Sequence, residues 1–155
     1  MPQVDLDEKD VAILEALQED GRMPLAELGR RIGLSQPAMS ERVKRLEERG
    51  VITGYGARID LKALGLGMMA IIRLKTAHEN IRACLGAFSE LSYIVEVHRV
   101  TGDDCFVLKA VVPSPEDLNV IVDSVGRFGV VTTSVVLKSE PPRSIGRALM
   151  AARRR

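Results

Sequence analysis

Residues 25–50, which read LAELGRRIGLSQPAMSERVKRLEERG, decide the fold of the first part of the chain. Their apolar spacing predicts two amphipathic helices, one that follows Pro24 and stops at Gly33 and one that ends at Gly50. Only Gly33 and Leu34 separate the two helices. Because such a short glycine-containing turn forces a large crossing angle, the stretch predicts a helix-turn-helix unit.

A further helix is predicted in front of this pair. Asp7 is its expected N-cap, Asp10 follows three positions later, and Gly21 is the expected stop. The apolar residues at helical spacing between them are Val11, Ile13, Leu14 and Leu17. After Gly50 the helical period is lost, and residues 51–60 are predicted to form an extended connector.

The second half of the chain predicts a different architecture. Strands are expected over residues 68–76, 93–101, 105–112 and 130–138, with helices over 79–90 and 115–128. This βαββαβ order is the ferredoxin-like split arrangement. The fold class is therefore α+β, a winged-type helix-turn-helix domain joined to a ferredoxin-like domain. The predicted division is a helix-turn-helix domain with its connector at 1–60, a linker at 61–66, the βαββαβ domain at 67–138 and a basic tail at 139–155.

The turn between the second and third predicted strands, residues 93–101 and 105–112, predicts how these two strands pair. If Gly102 and Asp103 form a two-residue turn, Thr101 faces Asp104. One sheet face is then wholly apolar and suits the helices. The opposite face mixes charged and apolar residues, namely Ile94, Glu96, His98, Val100, Cys105, Val107, Lys109 and Val111. Since a face in contact with solvent is mostly polar, we expect a second copy of the chain to cover this one.

Composition excludes several classes of protein. Aromatic residues make up 3% of the chain and tryptophan is absent, which argues against a base-stacking platform for single-stranded nucleic acid. The longest uncharged apolar run, residues 64–72, covers half a bilayer, and residues 1–10 are acidic with no apolar core, so neither a membrane span nor a secretion signal is expected. The two cysteines form no motif, which favours a cytoplasmic protein with reduced thiols.

Charge is unevenly distributed although the net charge is only +1. Residues 1–19 carry a net charge of −5 and residues 20–50 of +2, whereas residues 51–137 carry −1 and residues 138–155 carry +5. The positive excess thus lies on the predicted helix-turn-helix and at the end of the chain. This distribution permits binding to nucleic acid without establishing it.

Several segments together resemble the Lrp/AsnC family of bacterial and archaeal transcription regulators. The matching segments are Leu6-Asp7-Glu8-Lys9-Asp10, Gly33-Leu34-Ser35, Arg45-Leu46-Glu47, Gly50-Val51-Ile52, Val100-Thr101-Gly102-Asp103-Asp104-Cys105 and Thr132-Thr133-Ser134. The resemblance covers residues 6–138 and implies a DNA-binding domain followed by an amino-acid-sensing RAM-type domain. It also implies homodimers that assemble to tetramers or octamers, with a small effector bound between dimers.

The exposed face of the second helix of the pair carries the candidate DNA contacts. A recognition helix presents its first residues to base edges, and Gln, Ser and Lys there can read adenine or guanine. The candidates near the helix are Ser35, Gln36, Pro37, Ser40 and Lys44. Phosphate contacts are expected from the arginines Arg22, Arg30, Arg31, Arg42 and Arg45, although packing is an open alternative for Arg42 and Arg45. The expected partner is double-stranded DNA.

The turn and the last strand carry the candidate effector contacts. Backbone N–H groups around Gly102 can hold a carboxylate and Asp104 can hold an ammonium group, while hydroxyls come from the last strand. The candidates are Thr101, Gly102, Asp103, Asp104, Thr132, Thr133 and Ser134. The chain has Asp104 and Cys105 where the family often has an aromatic residue and then an acid, which leaves the identity of the effector open.

Two other functions compete with DNA binding. His98, Cys105 and a nearby Asp superficially suggest cysteine catalysis, but His98 is expected to face Val107 rather than Cys105. Some Lrp/AsnC-like proteins are siroheme decarboxylases, which need His and Arg side chains that converge on a tetrapyrrole pocket. This chain has only two histidines and an intact, basic helix-turn-helix, and both features argue against that enzyme. We therefore expect no enzyme, no catalytic residue, no metal and no cofactor. An effector-independent architectural DNA-binding protein remains the other alternative.

Overall fold

A computed structural model describes residues 4–151 of the chain, which divides into two compact units. Unit 1 contains the residues up to Arg58 together with those from Pro141 onward, and unit 2 contains Ile59–Glu140. The chain therefore passes between the units twice. Among residues 4–151, no helix is long and apolar enough to span a bilayer.

Three helices form the core of unit 1. They are α1 (Glu8–Glu19), α2 (Leu25–Ile32) and α3 (Gln36–Glu48). The predicted cap of α1 is confirmed as a full capping box, in which the side chains of Asp7 and Asp10 each accept the other residue's backbone N–H. The helix ends one residue earlier than expected, because Asp20 and not Gly21 is its C-cap. The side chains buried between the helices are Ile13, Met23, Leu28, Met39, Val43 and Leu46.

The predicted tight turn between α2 and α3 is confirmed, and glycine makes it possible at two positions. Gly33 caps α2 with a φ of 73°, a left-handed conformation that glycine adopts without strain. Gly29, one turn earlier, approaches the following loop so closely that a Cβ there would lie 2.6 Å from the carbonyl oxygen of Leu34. The backbone N–H of Leu34 donates to the Gly29 carbonyl oxygen at 2.9 Å, which closes the turn.

After α3 the chain bends at residues 51 and 52, and residues 53–60 form no helix, strand or hairpin. Two side-chain hydrogen bonds help to hold this connector on the helices. The Tyr55 hydroxyl donates to the Glu47 carboxylate at 2.8 Å, and the Arg58 guanidinium donates to the Gln18 carbonyl oxygen at 3.4 Å. Burial and the neighbouring Glu47 carboxylate raise the pKa of Tyr55 to about 12. The phenol therefore stays protonated and able to donate at neutral pH.

Unit 2 has the predicted βαββαβ order. Its elements are β1 (Met68–Thr76), α4 (Ile81–Glu90), β2 (Ile94–Arg99), β3 (Phe106–Val112), α5 (Pro115–Gly126) and β4 (Gly129–Val135). The strands form one antiparallel sheet in the order β2-β3-β1-β4, which is the ferredoxin-like topology. Both helices cover one face, where the Phe88 and Phe106 rings meet edge to face at 5.3 Å.

The predicted register between β2 and β3 is right near the turn and wrong beyond a bulge. Glu96 pairs with Lys109 and His98 with Val107, as expected. The register then shifts, so that Ile94 pairs with Ala110 instead of Val111. An extra residue in one strand turns the residues beyond it to the other face. Ile94 therefore packs against the core beneath the helices and does not belong to the outer face, contrary to the prediction.

The last described part of the chain returns to unit 1. A short helix, α6 (Arg147–Ala151), packs on α1. The expected basic tail thus includes a helical turn, and its final residues 152–155 lie outside the described residues.

We expect Gly29→Ala to destabilise unit 1, because the added methyl group meets the backbone carbonyl of Leu34 and backbone cannot move aside cheaply. The general helix preference for alanine offsets part of this cost, so we expect a net loss of about 1–2 kcal/mol in the free energy of unfolding. Urea unfolding followed by circular dichroism measures it.

Gly56→Ala is the control, since no atom lies within 4 Å of a Cβ there. This variant should stay within about 0.5 kcal/mol of the wild type. Equal or greater stability of Gly29→Ala would contradict the packing described for the turn.

Candidate functional site

The exposed face of α3 brings three of the predicted DNA-reading residues into one row. Gln36, Ser40 and Lys44 follow each other at four-residue spacing and are all exposed. Residues so spaced lie along one side of a helix, here beside the buried side that carries Met39 and Leu46. Lys44 makes only a weak exposed pair with Glu48 at 3.6 Å, so its ammonium is available to a ligand.

The first turn of α3 is fixed by its cap. The Ser35 hydroxyl accepts the backbone N–H of Ala38 at 3.4 Å, and Pro37 occupies the first turn, where its missing N–H costs nothing. These two predicted site residues therefore set where α3 begins. Their position determines which side chains the exposed start of the helix presents.

Arg42 has a packing role in this structure. Its Nη1 lies 2.7 Å from a carboxylate oxygen of Asp7 and 2.8 Å from one of Asp10, so a single guanidinium joins α3 to the start of α1. The backbone N–H of Asp10 and the guanidinium of Arg42 hold the pKa of the Asp7 carboxyl below its usual value. These carboxylates engage the N–H donors of Nη1, which agrees with packing, the open alternative for Arg42.

The other predicted arginines are exposed. Arg31 makes one long pair with Glu19 at 3.6 Å. The side chains of Arg30 and Arg45 have no ion-pair or hydrogen-bond partner within residues 4–151. Arg22 lies just beyond α1, where its backbone N–H donates to the Asp20 side chain. Arg49, directly after α3, is equally exposed and was missed, although its position at the predicted end of a basic helix was visible in the sequence.

The predicted effector loop connects β2 to β3 at one end of the sheet. Gly102 has a φ of 112°, which few other residues adopt, and Thr101 and Asp103 are exposed beside it. Asp104 is half-buried. The loop is anchored by Cys105, whose backbone N–H donates to the carbonyl oxygen of Leu74 in β1 at 2.8 Å.

The three predicted hydroxyls of β4 do not lie together. Thr133 pairs with Ile72 and faces the helices, where its Oγ1 is buried with no hydrogen-bond partner in the described part of the chain. Thr132 and Ser134 face the other side of the sheet, opposite Arg73 and Ile71. Successive strand residues alternate between faces, so Thr133 cannot share a pocket with its two neighbours, contrary to the prediction.

The loop and the β4 hydroxyls are also separated along the sheet. Cys105 lies beside β1, and Thr132 lies on the far side of β1, which is two strand spacings or about 10 Å away. The backbone of one amino acid does not bridge this distance. Within one chain, the carboxylate and ammonium groups of a single amino acid therefore do not contact both groups of residues.

The outer face of the sheet mixes apolar and charged residues. On this face Met69 of β1 pairs with Val111 of β3, Ile71 pairs with Lys109, and Arg73 pairs with Val107, while Val111 is only 2% exposed within the single chain. A charged cluster around Lys109 lies on the same face. The Glu96 carboxylate lies 2.7 Å from the Lys109 ammonium and 3.3 Å from His98 Nε2, and these two groups lower the pKa of Glu96.

The residues of the catalytic alternative are not assembled. His98 pairs with Val107 in the sheet, so its ring is not opposite Cys105. Cys84 is buried in the core, and burial raises the pKa of its thiol, which makes it a poor nucleophile. Among residues 4–151, no three His, Cys, Asp or Glu side chains are grouped closely enough to hold a metal ion.

Comparison with known proteins gives the same two parts. Residues 6–47 match the AsnC-type helix-turn-helix domain, and residues 69–144 match the Lrp/AsnC ligand binding domain. The chain is 37% identical over 134 residues to the uncharacterized HTH-type transcriptional regulator YezC of Bacillus subtilis, which covers 86% of this chain and 95% of that protein. Such relatives are named as transcriptional regulators, which is consistent with a protein that is not an enzyme.

Solved structures extend the match. LrpC of B. subtilis superimposes with a TM-score of 0.84 at 29% identity, over 90% of this chain and all of LrpC. The regulator NMB0573 of Neisseria meningitidis, solved in complex with L-methionine, superimposes with a TM-score of 0.83 at 26% identity, over 91% of this chain and 96% of NMB0573. The helix-turn-helix, the sheet topology and these matches together show that the chain belongs to the Lrp/AsnC family of DNA-binding transcription regulators.

Proposed function

We propose that this regulator reads a specific operator with α3 and that a small amino acid or a close metabolite modulates its oligomeric state or its DNA affinity. The observation that carries the first half is the exposed row of Gln36, Ser40 and Lys44 on a helix whose adjacent side packs into the core. Such a row fits the major groove, where amide and ammonium groups can tell base pairs apart.

The residues around this row take separate roles in the proposal. Gln36 contacts adenine, Lys44 contacts guanine, and Ser40 contacts either base. The exposed arginines Arg22, Arg30, Arg31 and Arg45 contact phosphates and set the register on the duplex, while Ser35 and Pro37 fix the start of the helix. Arg42 holds α1 to α3 and is not proposed as a phosphate contact.

One helix-turn-helix unit alone binds weakly in this proposal. Glu41 and Glu48 are exposed on α3 and repel phosphate, which lowers the affinity of a single unit. Two units in a homodimer then bind half-sites about one helical turn apart, or a multiple of that distance. The outer sheet face, at Val107, Met69 and Ile71, is the surface that a second copy covers, and further association gives tetramers or octamers.

The effector site is proposed to lie between dimers. Thr101, Gly102, Asp103 and Asp104 supply N–H donors and carboxylates from one copy, and Thr132 and Ser134 supply hydroxyls from another copy, because one chain keeps these groups too far apart. The L-methionine bound to the related NMB0573 supports an amino acid as the class of ligand. An effector acts through its different affinities for two states, so we expect a coupling of about 1–3 kcal/mol.

We expect Lys44→Ala to relax base preference, because it removes a proposed base contact. Arg30→Ala should instead weaken binding to all sequences alike and reduce the slope of log affinity against log salt by about 1. Fluorescence anisotropy with an operator duplex and a scrambled duplex, at several salt concentrations, separates the two effects. Equal losses on both duplexes for Lys44→Ala would contradict its role in reading bases.

We expect Val107→Arg to dissociate the dimer, because the new guanidinium is buried in the interface without a partner and next to Arg73 of the neighbouring strand. Light scattering at micromolar concentration measures the mass. Val120→Arg is the matched control, since Val120 is 62% exposed on α5, and it should leave the mass unchanged. A monomeric wild type, or an unchanged mass for Val107→Arg, argues against this interface.

We expect Gly102→Val to abolish the response to effector and to leave DNA binding intact, since a β-branched residue is strained at a φ of 112° and displaces the loop. A thermal-shift screen of the twenty amino acids, followed by operator titration with each hit, measures the response. Gly65→Val introduces similar strain in the linker, where φ is 78°, and should respond like the wild type.

Two results would overturn the proposal that a small effector modulates this regulator. One is a normal response of Gly102→Val. The other is a wild type whose melting and DNA affinity no amino acid changes, in which case the protein is an effector-independent architectural DNA-binding protein.

A further inference from the structure

The segment after unit 2 is bonded to α1 through its backbone. The Gln18 side-chain amide makes two hydrogen bonds with Ile145: its Nε2 donates to the carbonyl oxygen at 3.0 Å, and its Oε1 accepts the N–H at 2.8 Å. An amide that pairs with both groups of one residue fixes that residue's position and direction as a strand neighbour does. Residues 127 positions apart in the chain are joined in this way.

A second pair of contacts lies next to the first. One carboxylate oxygen of Glu15 accepts the backbone N–H of Arg147 at 3.1 Å, and the other lies 3.5 Å from the Arg147 guanidinium. Glu15 and Gln18 are three residues apart, so they are neighbours on one face of α1. One face of α1 therefore binds both Ile145 and Arg147 of the returning segment, through two neighbouring side chains.

The same end of α1 also holds the connector. The Arg58 guanidinium donates to the Gln18 carbonyl oxygen at 3.4 Å. Gln18 thus contacts both chain segments that join the two units, the connector through its backbone and the returning segment through its side chain.

Charge complementarity favours the same docking. Residues 1–19 carry a net charge of −5, and residues 138–155 carry +5. Opposite charges of this size attract the two ends of the chain toward each other before any hydrogen bond forms.

We propose that residues 143–151, here named the C-terminal strap, are a second tether that restrains the DNA-binding unit. The inference rests on the proposed operator binding. A single connector containing Gly54 and Gly56 leaves a domain free to reorient, whereas a second attachment removes part of that freedom before DNA arrives. The restraint makes simultaneous contact with two half-sites easier, because less orientational entropy is lost on binding.

Limited trypsin digestion of the full chain tests the docking without DNA. Arg143 and Arg147 are cleavage sites within the strap, and its attachment to α1 should slow their cleavage. We expect the double variant Glu15→Ala, Gln18→Ala to be cut there about threefold to tenfold faster, the factor expected for one or two net hydrogen bonds. Glu8→Ala removes a carboxylate from the same helix without touching the strap and should be cut at the wild-type rate. Equal rates in all three proteins would overturn the docking.

DNA binding tests the function of the tether. The probes are duplexes that the wild type selects from a random pool, one with two half-sites and one cut down to a single half-site. We expect the double variant to bind the paired duplex about threefold to tenfold more weakly and the single half-site as the wild type does. Equal weakening on both duplexes, or no weakening on either, overturns the tether. A wild type that enriches no duplex from the pool contradicts operator binding instead, and the trypsin rates then decide the docking alone.

Discussion

The close approach of the Leu34 carbonyl oxygen to Gly29 is the constraint on which the DNA-binding unit depends. A Cβ at position 29 would lie 2.6 Å from that oxygen, so the two-residue connection between α2 and α3 requires glycine in the last turns of α2. Once the turn is fixed, Met39 and Leu46 are held in the core. The rotation of α3 follows, and with it the exposure of Gln36 and Lys44.

α1 carries most of the connections around this turn. Its start receives Arg42 of α3 through Asp7 and Asp10, and the Lys9 ammonium donates to the carbonyl oxygen of Ile32 at the end of α2, at 2.7 Å. Its last turns receive the connector and the returning segment through Gln18. A helix that makes no proposed contact with DNA therefore orients the one that does. This arrangement explains why acidic residues are concentrated in a protein that binds a polyanion.

Local sequence rules predicted the parts of the structure that depend on local interactions. Caps and apolar spacing placed the helices, and alternation with the turn at Gly102 placed the four strands and the register near the turn. The bulge after Ile94 was missed, because an inserted residue leaves the composition of a strand unchanged and is stabilised by burial of Ile94 in the core. The separation of Thr133 from Thr132 followed from strand alternation and should have been foreseen. The contact between Gln18 and Ile145 could not be foreseen, because nothing local in either segment specifies a partner 127 residues away.

Selection of bound duplexes from a random pool tests the central claim most directly, which is that paired copies of α3 read a specific sequence. The full chain is incubated with random double-stranded DNA, bound duplexes are amplified, and the cycle is repeated at physiological salt. The account predicts enrichment of a two-fold symmetric motif with half-sites about one helical turn apart, or a multiple of that distance. Bound DNA that remains as random as the starting pool would contradict it.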